Sequence, residues 1–163
     1  MTAPHPSPDP YAALQSLGLT LPAAAAPGGS YTPARTLGNL VYLSGVLSRD
    51  AGGILTGTAG LDPSHEDARS IDQGYAAARS CALLQLAALE LHLGSLNKVR
   101  SVVSVNGYVQ AAAGFADAPS IINGASDLFL RVFGEAGRHV RAAIGVIALP
   151  RRALVEIQMT VEI

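Results

Sequence analysis

Charged residues that interrupt the apolar alternation near the end of this 163-residue chain include Arg141, in RHVRAAIGVIALP, and Glu156, in ALVEIQMTVEI. A guanidinium can grip a carboxylate through two parallel N–H bonds, and a carboxylate in partly apolar surroundings can take a proton from water. Alternation alone is met equally well by two charges that face solvent. Arg141 differs in the company it keeps. Its own strand face carries Ala143, Gly145 and Ile147, small or apolar residues that make a floor for a ligand. Arg141 is therefore a candidate anion clamp.

Other chemistries find little support. The four histidines, His5, His65, His92 and His139, form no i, i+4 pair and no HExxH, which argues against a zinc site, and one cysteine, Cys81, excludes an internal disulfide and a cysteine metal cluster. His92 reads as a helix-surface residue, Cys81 as helix core, and His139 as a solvated histidine at a strand start. No GxxxxGK[ST] loop, GxGxxG or GxSxG is present, so no nucleotide cofactor or serine nucleophile is expected. A net charge of −1, eight aromatics and no tryptophan give neither a basic surface nor a stacking platform for nucleic acid.

The elements that must hold these residues follow from pattern. Residues 1–10 contain four prolines and are expected to be a disordered tail; Tyr11–Leu17 form a short helix ended by Gly18, and a Pro/Ala/Gly linker follows to residue 27. Two short strands turn at Gly38-Asn39 between Tyr31 and Ser44. A glycine-rich hairpin or loop comes next. Ser64 and Asp67 have capping-box spacing before a long helix whose stripe runs from Ile71 to Leu93 and which Gly94 stops. Val99–Val109 alternate as a strand, Pro119 opens a second helix, and two strands join through Leu149-Pro150-Arg151-Arg152. The order β-β-(β)-α-β-α-β-β describes an open α+β sheet with two helices on one face.

Four segments in this order resemble the RidA family, also called YjgF/YER057c/UK114. They are GSYTPARTLGNLVYLSG, INGASDLFLRVFGEAGRHVR, RHVRAAIGVIALP and ALVEIQMTVEI, so the likeness covers residues 28–163. The resemblance implies a chorismate-mutase-like fold assembled as a homotrimer. It also implies a cofactor-free, metal-free hydrolytic deaminase that converts reactive enamine/imine (2-iminoacid) intermediates to 2-ketoacids and ammonia. Tyr31, Ser44, Gly45, Asn123, Arg141 and Glu156 fall at the family's site positions. In that reading Arg141 holds the substrate carboxylate, with the Ala143 N–H as a second donor, and Glu156 activates water; Tyr31, Ser44, Gly45 and Asn123 shape the pocket. Some family members are described as endoribonucleases, and a non-catalytic trimer binding a small carboxylate is a further alternative. The chain departs from the family pattern at Val46, at His139-Val140-Arg141-Ala142 and at Gln158, and its lead resembles a longer branch.

If the last two strands pair as a tight hairpin about Pro150-Arg151, opposed residues sum to about 301, and Arg141 and Glu156 lie four residues, roughly 13 Å, apart. That is far for one small substrate. The expectation is a pocket at each subunit boundary, with Arg141 and Glu156 supplied by different chains. Composition agrees with a buried interface: 49% AVILMFWYC against 14% charged residues, and a mean hydropathy of +0.32. No apolar run is long enough to span a membrane, and no basic start precedes a hydrophobic stretch, so a cytoplasmic location is expected.

Overall fold

The structure, a computed structural model, describes residues 8–163, so most of the proline-rich tail lies outside the described residues. Helix α1 (Pro10–Ser16) starts on Asp9, whose carboxylate accepts the Tyr11 N–H, and it buries Leu14 in the core. Strands β1 (Ala34–Leu37) and β2 (Leu40–Leu43) form the expected pair about Gly38-Asn39. β3 (Val46–Leu47), the small hairpin β4 (Arg49–Asp50) with β5 (Gly53–Ile54), and the parallel pair β6 (Thr58–Ala59) with β7 (Ala68–Arg69) lead to the long helix α2 (Ile71–Leu93). Then come β8 (Ser101–Gln110), α3 (Ala118–Phe133), β9 (Val140–Val146) and β10 (Val155–Glu162).

The capping box expected at Ser64 and Asp67 is instead Ser70 with Gln73, which exchange both reciprocal bonds. The reason is local. Residues 68 and 69 are extended against β6, so the chain cannot turn helical before Ser70. At the other end Gly94, with φ of 76°, accepts the left-handed turn that closes α2.

One open mixed sheet runs in the order β1-β2-β10-β8-β9, with β3 also paired to β10. The fold is α+β, with α2 and α3 packed together against one face. Gly124 allows that close contact, since a Cβ there would overlap the Tyr75 carbonyl of α2. Under the helices lie Val105, Val109, Val155, Ile157, Met159 and Val161, all fully or almost fully buried.

The topology overturns the terminal hairpin. β10 pairs antiparallel with β8, while β9 pairs parallel with the other edge of β8, so β8 separates the two strands. Alternation fixed the faces of both strands but carried no information about their neighbours. The link between them, residues 147–154, arches over the end of β8: Leu149 N–H donates to Gln110 Oε1 at 3.1 Å, and Gln110 N–H to the Leu154 carbonyl at 2.9 Å.

Candidate functional site

Glu156 stands in the middle of β10 between buried Val155 and Ile157, so the pleat turns its side chain to the sheet face away from the helices. It is half-buried there, and burial pushes its carboxyl above the ordinary glutamate pKa. Among the described residues no side chain or backbone group donates a hydrogen bond to it. Its carboxylate therefore retains its full acceptor capacity.

The backbone beside it is shaped to let that carboxylate lie flat. Opposite β10, Tyr42 pairs with Thr160 and Val46 with Ile157, so three residues (43–45) face two (158–159) and the strand bulges by one at Ser44-Gly45. A Cβ on Gly45 would overlap the Glu156 carboxylate and sit 3.1 Å from its Cδ. Only glycine fits. The bulge is fastened from below by Gln85, a fully buried residue of α2 whose Nε2 donates to the carbonyls of Ser44 (3.0 Å) and Ile157 (2.6 Å). Sequence reasoning missed Gln85; its signal was a lone amide within the apolar surroundings of α2.

Ser44 donates its hydroxyl to the Thr32 carbonyl at 2.7 Å, which fixes the chain that presents Tyr31. The Tyr31 oxygen accepts the Gly28 N–H at 3.0 Å, leaving the phenol proton available to a ligand. Tyr31, Ser44, Gly45 and Glu156 line one cavity of about 760 Å³, together with Ala25–Gly28, Arg49 and Arg151. The stretch that reads as linker thus forms one wall.

Arg141 belongs to a second group. Its partner on β8 is Val105, so its side chain lies on the helix side of edge strand β9, where Nη1 donates to Asn123 Oδ1 (2.7 Å) and Ser126 Oγ (3.1 Å) of α3. Both contacts use one nitrogen. Nη2 and Nε remain as a side-on fork for a carboxylate. The bond from Ala111 N–H to the Val146 carbonyl (2.9 Å) sets the phase of the parallel ladder, so the backbones of Arg141, Ala143 and Gly145 point outward from the sheet edge. An N–H from Ala143 is therefore open beside that fork.

His139 joins this group, against the expectation of a solvated strand start. Its ring is half-buried, meets Phe129 edge-on at 6.0 Å, and contacts Ser126 Oγ at 3.0 Å and the Gly137 carbonyl at 2.6 Å. The strand turns it inward with Arg141 because the two are two residues apart. Among the described residues no group of histidine, cysteine and carboxylate side chains could hold a metal ion.

The seven expected site residues thus fall into two sets. Tyr31, Ser44, Gly45 and Glu156 share the cavity; Asn123, Arg141 and Ala143 share the β9 edge. Along β8 the partners of Arg141 and Glu156, Val105 and Tyr108, are three residues apart, and two strand spacings separate the outer strands. The backbone separation is then about 14 Å, and the side chains leave opposite faces. The spacing resembles that of a hairpin, but its cause is the intervening strand.

A family profile described as "YjgF/chorismate mutase-like, putative endoribonuclease" matches residues 12–163. The protein TCP17 of Trypanosoma cruzi is 42% identical over 152 residues, 92% of this chain and 91% of the relative. A crystal structure of a protein of unknown function from Agrobacterium tumefaciens superposes with a TM-score of 0.84 at 41% identity, covering 94% of this chain and 92% of its own. RidA from an Antarctic Psychrobacter gives 0.56 at 28% identity, covering 86% and 94%.

Proposed function

This chain belongs to the YjgF/chorismate mutase-like family, and from the two half-sites we propose that it is a hydrolytic deaminase of reactive 2-iminoacids and their enamine tautomers, working as a homotrimer. The observation that carries the proposal is Glu156: a half-buried carboxylate with raised pKa and, among the described residues, no hydrogen-bond donor, lying in a cavity beside a glycine bulge. Burial makes such a group a stronger base than an ordinary glutamate and leaves both its oxygens free to take a proton from water.

The substrate carboxylate lies in the free fork of Arg141 and on the Ala143 N–H. Glu156 accepts a proton from water as the water oxygen adds to the imine carbon, and returns that proton to nitrogen, which gives a neutral carbinolamine. Glu156 then takes the carbinolamine hydroxyl proton and passes it to the nitrogen as the C–N bond breaks, releasing ammonia and the 2-ketoacid; one water is consumed and no oxidant is needed. Tyr31 offers its phenol proton to the departing nitrogen or the incoming water.

A single chain presents Arg141 and Glu156 on opposite faces, so each complete pocket takes its Glu156 half from one subunit and its β9 edge from the next, giving three pockets per trimer. Support comes from the surface this would cover: Val140 is 70% exposed, Ile144 50% and Tyr42 46%. The direct test supplies an iminoacid in situ with an amino-acid oxidase and follows ammonia release. Acceleration over the oxidase alone is expected. Carboxylate binding without acceleration would leave a non-catalytic binding trimer.

A further inference from the structure

We propose that His139 is a positioning residue for Arg141, a neutral hydrogen-bond acceptor that sets the orientation of the guanidinium through Ser126 and releases it when protonated. The inference rests on the reading of Arg141 as the carboxylate grip.

Proton bookkeeping along the chain of contacts gives it a direction. The Gly137 carbonyl can only accept, so His139 Nδ1, 2.6 Å away, carries a proton. In the neutral ring Nε2 is then an acceptor, and its partner at 3.0 Å is the Ser126 hydroxyl. That bond engages the one proton Ser126 has. Its oxygen is left to accept from Arg141 Nη1 at 3.1 Å, while Asn123 Oδ1 accepts the other Nη1 proton at 2.7 Å. With both Nη1 protons engaged, the guanidinium plane is set and its Nη2–Nε edge faces away from α3.

Protonation at Nε2 reverses the middle bond. Two cations, His139 and Arg141, would then donate to one hydroxyl, and the more exposed Arg141 is the one free to leave. The neutral ring is the form this site favours: burial lowers the His139 pKa, the Gly137 carbonyl opposes that, and the Arg141 charge lowers it further. Among the described residues no other charge is arranged against the ring. From α3 it meets Ser126 and Phe129, which do not titrate, while Asp127 is engaged by the Tyr75 hydroxyl at 2.8 Å. Glu135 and Arg138, in the turn before β9, pair with each other at 2.8 Å, and the adjacent stretch of β8, Val103–Val105, carries no titratable group.

The test uses the full chain labelled with nitrogen-15 and titrated between about pH 5 and 8, the range in which histidine changes charge. Ring shifts should show the Nδ1–H tautomer at the high end, and the Arg141 guanidinium signals should move with the His139 midpoint. In His139→Gln, which keeps an acceptor for Ser126 but does not titrate, that midpoint should vanish from Arg141. Binding of 2-oxobutyrate should weaken about tenfold as wild type is acidified through the midpoint, a coupling of ordinary size, and stay level in His139→Gln. His139→Ala should bind weakly at every pH. An added positive charge acting only at a distance would strengthen anion binding on acidification, so that result overturns the proposal. An Nε2–H tautomer, or Arg141 signals indifferent to His139, overturns it too. If wild type binds no 2-oxobutyrate at any pH, the carboxylate reading fails, while the nitrogen signals still decide whether His139 sets Arg141.

Discussion

β10 and β9 carry the same alternation of apolar residues, and they meet opposite fates. β10 has a strand on each side and a sealed lower face, where Val155, Ile157, Met159 and Val161 are at most 1% exposed. β9 is an edge strand with Val140 and Ile144 uncovered. An apolar edge is a liability for an isolated chain and a ready surface for a second copy. The contrast divides the proposed chemistry: a rigid strand holds the proton-transferring carboxylate, and an unfinished edge holds the substrate grip. A rigid half and an unfinished half respond differently to substitution.

The largest expected effect is on the rigid half. Glu156→Gln should lower turnover by roughly 10²–10⁴-fold, the usual worth of a positioned acid–base group, with carboxylate affinity retained. Equal loss of both would make Glu156 structural. In wild type, kcat/KM should rise with pH through a midpoint above the ordinary glutamate range, because the ionised form is the base and burial raises its pKa. Stability has the opposite sign. A carboxyl whose folded pKa is raised contributes stability below its unfolded pKa, and that contribution is lost as pH rises through the folded value. Glu156→Gln should therefore melt above wild type at neutral pH and lose that advantage in acid; a lower Tm at neutral pH would contradict the burial argument.

Mixing tests the division itself. Arg141→Ala and Glu156→Gln proteins should each be nearly inactive, but co-assembled in equal amounts they should regain about a quarter of wild-type sites, the random share of boundaries where both intact residues meet. Verified mixed trimers without activity would put both residues in one chain's pocket. On the edge half, Arg141→Lys should cost about 30-fold in kcat/KM with the fold intact, because a point charge replaces a planar fork. A near-wild-type rate would remove Arg141 from the site.

Much of this was legible from residue types. The strand faces, the two long helices, the Gly94 stop and the core place of Cys81 follow from period and punctuation. The neighbour of β9 did not, because a period of two is the same whether a strand pairs with β8 or β10. Gln85, Ser126 and His139 escaped for a related reason: each is a polar residue within an apolar pattern, and only packing reveals which carbonyl or hydroxyl it meets. Likewise Ala25–Gly28 have linker composition, yet they line the cavity because small residues lie close against a wall as readily as they flex.

The smallest expected effect lies in the link between the two strands. A hairpin would join β9 to β10 by a short turn, but here the chain must step across β8, and it does so with two consecutive non-glycine residues in the left-handed region, Arg151 (φ 56°) and Arg152 (φ 57°). Left-handed backbone costs a side-chain-bearing residue about 1–2 kcal/mol, and glycine gives back about 0.5–1 kcal/mol of that in chain entropy. Arg151 has no ion pair among the described residues, whereas Arg152 meets Asp67 at 2.5 Å. Arg151→Gly should then stabilise by about 0.5 kcal/mol, roughly 1–2 °C in Tm for a chain of this size. Arg152→Gly should gain less, because it also gives up a partly exposed ion pair worth about 0–1 kcal/mol. If the crossover sets the backbone, thermal melts should rank Arg151→Gly above Arg152→Gly, and Arg151→Gly above wild type. An Arg151→Gly protein that melts below wild type would mean the left-handed turn carries no strain, and the step across β8 would cost the chain nothing.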